Sequence, residues 1–277
     1  MAKQTLDKLN QLERLFPEGL IVDASWMEAH GYSTALRSQY VSAGWLKQPV
    51  RRVYQRPRGE LSWQQVVVSL QSLLQYNLVV GGRTALEQQG YAHYLRQRIE
   101  RITLTGPDKP PLWLNGLLPK TRFHYRNDIR LFKTLRASTA PHSLEHADDR
   151  PSASAAGIAV RPWGQWNWPL YFSAPERAIL EVMAELPGHE SFHHVDMLMQ
   201  GLTTLSPARL NALLADCRSV KVKRLFLFFA DRHAHAWAKH LDRKRIDLGT
   251  GKRMLVKGGR LDPKYQITVP GDLDGLQ

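Results

Sequence analysis

"GYSTALRSQYVSAGWLKQPVRRVYQRPRG", residues Gly31 to Gly59, carries Lys47 and the arginines Arg37, Arg51, Arg52, Arg56 and Arg58, and no acidic residue. Ser33 stands where a helix N-cap would stand and Gly44 where a helix would stop, so the spacing predicts a helix from about Ser33 to Ala43. "WLKQPVRRVYQR" then predicts two short strands about a Gln48-Pro49 turn. Upstream, apolar spacing predicts a helix from about Gln4 to Phe16, ended by Pro17-Glu18-Gly19. "LIVDASWMEAHG" predicts a short strand and a second helix with Asp23 as N-cap. Helix, helix, helix, hairpin is the order of a winged helix-turn-helix, and the connection His30-Gly31-Tyr32 is short and contains glycine, as that motif requires. In the third helix Leu36, Tyr40 and Val41 are expected to pack inward. Ser33, Thr34, Arg37, Ser38 and Gln39 are expected to face a major groove. Lys47, Arg51, Arg52 and Arg56 are expected to lie along the flanking phosphates. A small helical domain with a solvated basic edge, or one that binds protein, fits the same pattern.

The whole chain agrees with a polyanionic partner. It has 277 residues, 38 Lys+Arg against 25 Asp+Glu, a formal charge of +13 and a pI near 10. Such a balance favours nucleic acid. The length suggests two domains. No apolar run reaches the roughly 20 residues that span a bilayer, and the polar start MAKQTLDKLNQLER does not read as a signal peptide; a cytoplasmic protein with no membrane partner is expected. The lone cysteine, Cys217, excludes an intramolecular disulfide and all-cysteine zinc sites.

Beyond the hairpin, "ELSWQQVVVSLQSLLQYN" predicts a helix. "LVVGGRTALEQQG" lacks the Lys-Ser/Thr pair of a P-loop, so its double glycine is not read as a nucleotide site. "RITLTG", "LWLNGLLP" and "RFHYRN" read as strands, and the Ser/Ala/Pro-rich Ala137–Gly157 as a loop of unassigned role. Helices are expected from Ala174, over Ser191 to Leu202, and over Pro207 to Ala215. Leu225–Phe229 is expected to be a buried strand that becomes a helix near Asp231. The tail "GKRMLVKGGRLDPKYQITVP" predicts two strands about Gly258-Gly259. The fold class is therefore α+β: a winged helix-turn-helix with its supporting helices over residues 1–95, then a mixed α/β domain over 96–277.

Two motifs invite chemistry. His189-Glu190-Ser191-Phe192-His193 spells H-E-x-x-H, but Pro187-Gly188 puts His189 at a helix start, so surface histidines are the expectation, with no metal and no cofactor. His233 and His235, two apart, do not share a helix face. Trp163, Trp166, Trp168 and Tyr171 could stack bases, although such a cluster more often packs a core. The larger signal is charge. Residues Arg218 to Lys264 hold 14 Lys+Arg and 4 Asp+Glu, an excess of ten. That strip is the candidate working surface of the second domain, represented by Lys221, Lys223, Arg243, Lys244 and Arg245.

Four long segments in order, "GYSTALRSQYVSAGWL", "VVGGRTALEQQGYAHYL", "ESFHHVDMLMQGLTTLSPARLNALLADCRSVKVKRLFLFFADRHAHAWAKHLD" and "GKRMLVKGGRLDPKYQITVP", resemble the AbiEi family of type IV antitoxins. The resemblance implies a non-enzymatic, DNA-binding autorepressor acting at inverted repeats of its own promoter. It also implies a C-terminal domain that counters a cognate AbiEii-like nucleotidyltransferase toxin, with or without a stable complex. The alternative from another class is a nucleic-acid-processing enzyme whose C-terminal domain holds a basic substrate channel. Against it, no paired carboxylates stand at a spacing that would hold two metals.

Overall fold

The computed structural model describes residues 2–91, 100–137, 144 and 156–274. The expected boundary at 95/96 and most of the loop Ala137–Gly157 lie outside the described residues. The chain is a mixed α+β protein with an N-terminal and a C-terminal part.

The N-terminal part opens with helix α1 (Ala2–Leu15), strand β1 (Ile21–Asp23), helix α2 (Ala24–Ala29) and helix α3 (Thr34–Ser42). Asp23 caps α2 by accepting from the Trp26 amide (2.8 Å), and Ser33 caps α3 by accepting from the Leu36 amide (3.3 Å). Each cap satisfies one of the amides that a helix start leaves without a partner. Strands β2 (Lys47–Val50) and β3 (Val53–Gln55) follow, and β1 pairs antiparallel with β3, so a three-stranded sheet runs β1-β3-β2. The hairpin turns at Arg51-Arg52, not at Gln48-Pro49. Pro49 lies within the edge strand β2, where its missing N–H breaks no ladder, and Arg52 takes the left-handed conformation (φ +66°) that reverses the chain.

Helix α4 (Trp63–Val68) starts at a capping box between Ser62 and Gln65 and runs into a wider turn over Ser69–Leu73. This segment joins the two parts. The Ser69 hydroxyl accepts from the Ile21 amide (3.0 Å) in β1. Gln71 is fully buried; its Nε2 donates to the carbonyls of Leu78 (2.9 Å) and Tyr171 (3.2 Å) while its Oε1 accepts from the Tyr171 amide (3.2 Å). A buried amide with both ends satisfied fixes the docking geometry rather than opposing it.

The C-terminal part is a five-stranded mixed sheet, ordered β6-β5-β4-β8-β7, of β4 (Val79–Val80), β5 (Glu100–Gly106), β6 (Thr121–Asn127), β7 (Ile158–Trp163) and β8 (Trp168–Ser173). Its central strand β4 precedes residue 95, so the expected cut between 95 and 96 would take the middle strand away from the sheet. The stretch "LWLNGLLP", expected as a strand, is a turn with a short 3-10 helix over Leu114–Gly116. Helix α5 (Gly82–Gln88) packs on helix α6 (Pro175–Ala184), which is buried over Glu176–Met183. Around α6 stand α7 (Phe192–Gly201), α8 (Pro207–Asp216) and α9 (Val220–His233).

Leu225–Phe229 is not a strand. It lies inside α9, buried on every side. A continuous apolar run carries no period, so spacing alone cannot separate a buried strand from a helix enclosed by its neighbours. The tail forms a hairpin of β9 (Arg260–Asp262) and β10 (Ile267–Val269), turning after Asp262 rather than at Gly258-Gly259.

Candidate functional site

Of the contacts expected on α3, Ser38 and Gln39 stand free on the surface and the others do not. Ser38 and Gln39 are exposed on α3; Thr34 is exposed, but its hydroxyl accepts from Arg37 Nη2 (2.8 Å). The Ser33 hydroxyl is engaged as the cap. Ser42, unremarked in the sequence, lies exposed further along α3.

Arg37 is the main correction. The sequence pattern placed it outward, but it is only 3% exposed. Its Nη1 donates to the Ala24 carbonyl (2.8 Å), its Nη2 reaches Glu28 Oε1 (2.8 Å), and the guanidinium lies 5.6 Å over the Tyr54 ring. It binds α3 to α2 and to the sheet. The pattern misled because an arginine stem reads as polar while its apolar length and five donors let it fill an interhelical gap.

In the hairpin, Lys47, Arg51 and Arg52 are exposed and have no ion pair among the described residues. Arg56 differs: it is largely buried, donates to the carbonyls of Phe16 (3.0 Å) and Glu13 (3.4 Å), and pairs with Glu18 (3.4 Å) and Glu13 (3.5 Å). It ties the end of β3 to the end of α1, and is corrected from a free wing cation to a structural one. Arg58 pairs with Glu18 (3.2 Å) and lies 5.5 Å over the Trp166 ring at the tip of the β7-β8 hairpin. Of the aromatic cluster, Trp168 and Tyr171 are core residues and Trp166 is exposed.

The C-terminal strip is mostly consumed by the fold. Lys223 is 5% exposed, a correction to its expected place on a surface. Arg224 is buried with it and donates to the carbonyls of Leu248 (2.8 Å), Gly251 (2.6 Å), Gly249 (3.1 Å) and Gln266 (3.3 Å). Lys221 donates to the carbonyls of Ala184 (2.8 Å) and Leu186 (2.6 Å) at the C-terminal end of α6. Arg243 pairs with Asp231 (2.5 Å), as does Lys264 (2.5 Å). Burial pushes the Asp231 carboxyl up, but the hydrogen bonds from Arg243, Lys264 and Tyr265 outweigh it and hold the group down at about 2. Of the five strip residues singled out, Lys244 and Arg245 project into solvent, Arg245 with only a long approach to Asp242 (3.7 Å).

The H-E-x-x-H letters do not share a helix. His189 precedes the cap Ser191, and Glu190 is paired with His194 (2.8 Å). Among the described residues no group of three His, Cys, Asp or Glu is placed to hold a metal ion. Cys217 is buried, and burial pushes its thiol up to about 11, far from a reactive thiolate. No helix among the described residues is long and apolar enough to cross a membrane.

One feature escaped sequence reading altogether: a polar cleft of about 560 Å³ between α5, β5, β6, the end of α6 and the start of α9. Its residues lie between positions 82 and 221, so no local pattern could announce it. At its centre Glu185 accepts from Arg126 Nε (2.8 Å) and Arg101 Nη2 (3.2 Å). Its floor holds a buried charge network in which Arg177, fully buried, pairs with Asp128 (2.7 Å) and Glu181 (2.9 Å) and stacks on Phe132.

With this geometry in place, the comparisons decide the family. A model of the N-terminal domain of AbiEi antitoxin transcriptional regulators matches residues 5–97, and a model of the type IV toxin-antitoxin AbiEi transcriptional regulators matches residues 101–270. The chain belongs to the AbiEi family. No curated protein matches it. Among solved structures it is similar to the Rv2827c protein from Mycobacterium tuberculosis, at 18% identity and a TM-score of 0.53, over 94% of this chain and 88% of that one. At that identity the likeness concerns the fold. Membership makes the chain an antitoxin and transcriptional regulator of a toxin-antitoxin system.

Proposed function

We propose that this AbiEi regulator is a winged helix-turn-helix autorepressor that binds its own promoter, and that its C-terminal part counters a nucleotidyltransferase toxin without catalysis of its own. One observation carries the DNA reading. Helix α3 is capped by Ser33, braced from inside by Arg37 and exposes Thr34, Ser38 and Gln39, and the hairpin that follows leaves Lys47, Arg51 and Arg52 without acidic partners. Short polar side chains suit base edges, and unpaired cations suit phosphates. The β1-β3-β2 sheet behind α3 supports the helix as a wing does. For the antitoxin role, Lys244 and Arg245 are the members of the expected strip that remain available to a partner.

The test is a gel-shift with the protein's own upstream DNA from about 50 to 200 mM salt, where phosphate contacts make affinity fall steeply. A flat profile would remove the wing assignment. In parallel, cells expressing the adjacent toxin are grown with the full chain or with Lys244→Glu/Arg245→Glu. Loss of rescue with promoter binding intact locates antitoxicity on that strip; unchanged rescue sends it elsewhere.

A further inference from the structure

The cleft between α5, β5, β6, α6 and α9 has no part in the function proposed above. We propose that it takes a phosphate-bearing small molecule of about mononucleotide size, held at its anionic group by Arg101, Arg126 and Lys221. The proposal does not rest on the promoter reading above.

The first support is charge. The lining holds five cations (Arg83, Arg101, Arg126, Arg130 and Lys221) and five carboxylates (Glu87, Asp128, Glu181, Glu185 and Glu190), unevenly placed. Asp128 and Glu181 face Arg177, Glu87 pairs with Arg83 (2.7 Å), and Glu190 pairs with His194 (2.8 Å). Glu181 is further held by the Gly82 amide (2.7 Å) and the Ser173 hydroxyl (3.0 Å). At one end Glu185 pairs with Arg101 and Arg126 beside Lys221, and Glu190 lies within reach of Arg101. Lys221 is bonded to neutral carbonyls, so its charge has no counter-ion there, and Arg130 at the rim has no ion pair among the described residues. Cations are therefore gathered at the Glu185 end of a partly open cleft, where they could grip a doubly charged anion.

The electrostatics of two neighbours agree. Burial lowers the Lys221 amine, and nearby Arg126 lowers it further. His124, whose Nε2 stands 3.6 Å from Glu185, is pushed down by burial and then by Arg101 and Arg126. Both groups feel the arginines gathered at this end of the cleft.

The second support is size. The volume, about 560 Å³, lies within the range of roughly 300–1,000 Å³ usual for small-molecule sites. This is not a phosphate loop. The start of α5 is occupied by the Glu181 carboxyl, and a Cβ at Gly81 would meet Thr105 Oγ1 at 2.2 Å. The ligand would be gripped by side chains from β5, β6 and α9.

Calorimetric titration of the full chain with pyrophosphate, ribose 5-phosphate, adenosine monophosphate and adenosine tests the proposal. The phosphorylated probes are expected to bind below millimolar concentration and adenosine not to bind. Arg126→Met, at a partly exposed side chain of β6 paired with Glu185, should weaken them at least tenfold with only a small change in melting temperature, and Arg126→Lys should recover part of the loss. The surface pair Lys109→Ala/Lys120→Ala is the control for general attraction to a basic protein. The proposal is overturned if that control loses as much binding as Arg126→Met, or if no small phosphate binds. It is equally overturned if a 5′-phosphorylated oligonucleotide binds while the small probes do not.

Discussion

The hairpin at 47–58 and the strip at 218–264 look alike as letters, both crowded with lysine and arginine, and they fold into opposite arrangements. In the hairpin, Lys47, Arg51 and Arg52 sit at an edge strand and a turn, and stay in water with no ion pair among the described residues. In the strip, Lys223 and Arg224 are buried in α9, Lys221 caps α6, and Arg243 and Lys264 close on Asp231. A cation count measures attraction to polyanions only where the cations reach solvent. Where they end on carbonyls and carboxylates, they hold the fold together.

The comparison is easiest to break at Arg224. Four carbonyls from 248–251 and 266 depend on its guanidinium. Arg224→Met keeps the apolar length and removes the donors. A loss of about 3 kcal/mol is expected, because buried acceptors are left without partners. Denaturant unfolding of the variant measures it. A change under about 0.5 kcal/mol, typical of surface sites, would return Arg224 to the solvated class.

Arg37 is the corresponding residue of the N-terminal part. Arg37→Met should cost about 2 kcal/mol, less than Arg224 because its partner Glu28 is half exposed and rehydrates. Its effect on DNA should be uniform: weaker binding to specific and random duplexes alike, through a loosened α3. Selective loss of the promoter, with stability intact, would restore Arg37 to base reading.

What could be read from the letters follows from this contrast. Local signals were legible. Asp23, Ser33 and Pro175 mark helix starts by cap and N1 chemistry, and the structure has each in that role. The strand segments "RITLTG" and "RFHYRN" appear as β5 and β6. What failed needed distant partners. Leu225–Phe229 became helical because neighbouring helices and loops enclose it on every side. Arg37 and Arg56 turned inward because carbonyls and carboxylates on neighbouring elements were waiting, and Lys223 lies on a buried side of α9. The cleft is the extreme case: Arg101, Arg126, Glu185 and Lys221 belong to four elements, and only the sheet order brings them together.

The exposed hairpin supplies the next test. Arg51→Ala and Arg52→Gly should leave stability unchanged; glycine at 52 even suits the left-handed backbone there (φ +66°). Each should weaken specific and random DNA about equally. Each should also lower the slope of log affinity against log salt by about 0.9, one phosphate contact's worth. An unchanged slope for both would mean that the hairpin does not lie on DNA, whatever α3 does.

The smallest effect concerns Asp231, where the strip is neutralised at its exposed side. Its carboxyl is held down at about 2 against an ordinary 3.8. The folded state therefore takes up the proton less readily than the unfolded chain. Its contribution is fully present above pH 3.8 and fades as the pH falls through about 2. Wild type should lose stability over that window more steeply than Asp231→Asn, and the two profiles should run parallel above about pH 5. The difference should be small and should shrink in high salt, because the cluster is largely in water. The same substitution releases Arg243 and Lys264 from their carboxylate. If the strip is spent on the fold, releasing them should make the protein elute later from heparin, by more than removal of one distant surface carboxylate such as Glu60 does. Equal shifts for Asp231→Asn and Glu60→Gln would show that Arg243 and Lys264 were available all along, and the contrast between hairpin and strip would then rest on Lys221, Lys223 and Arg224 alone.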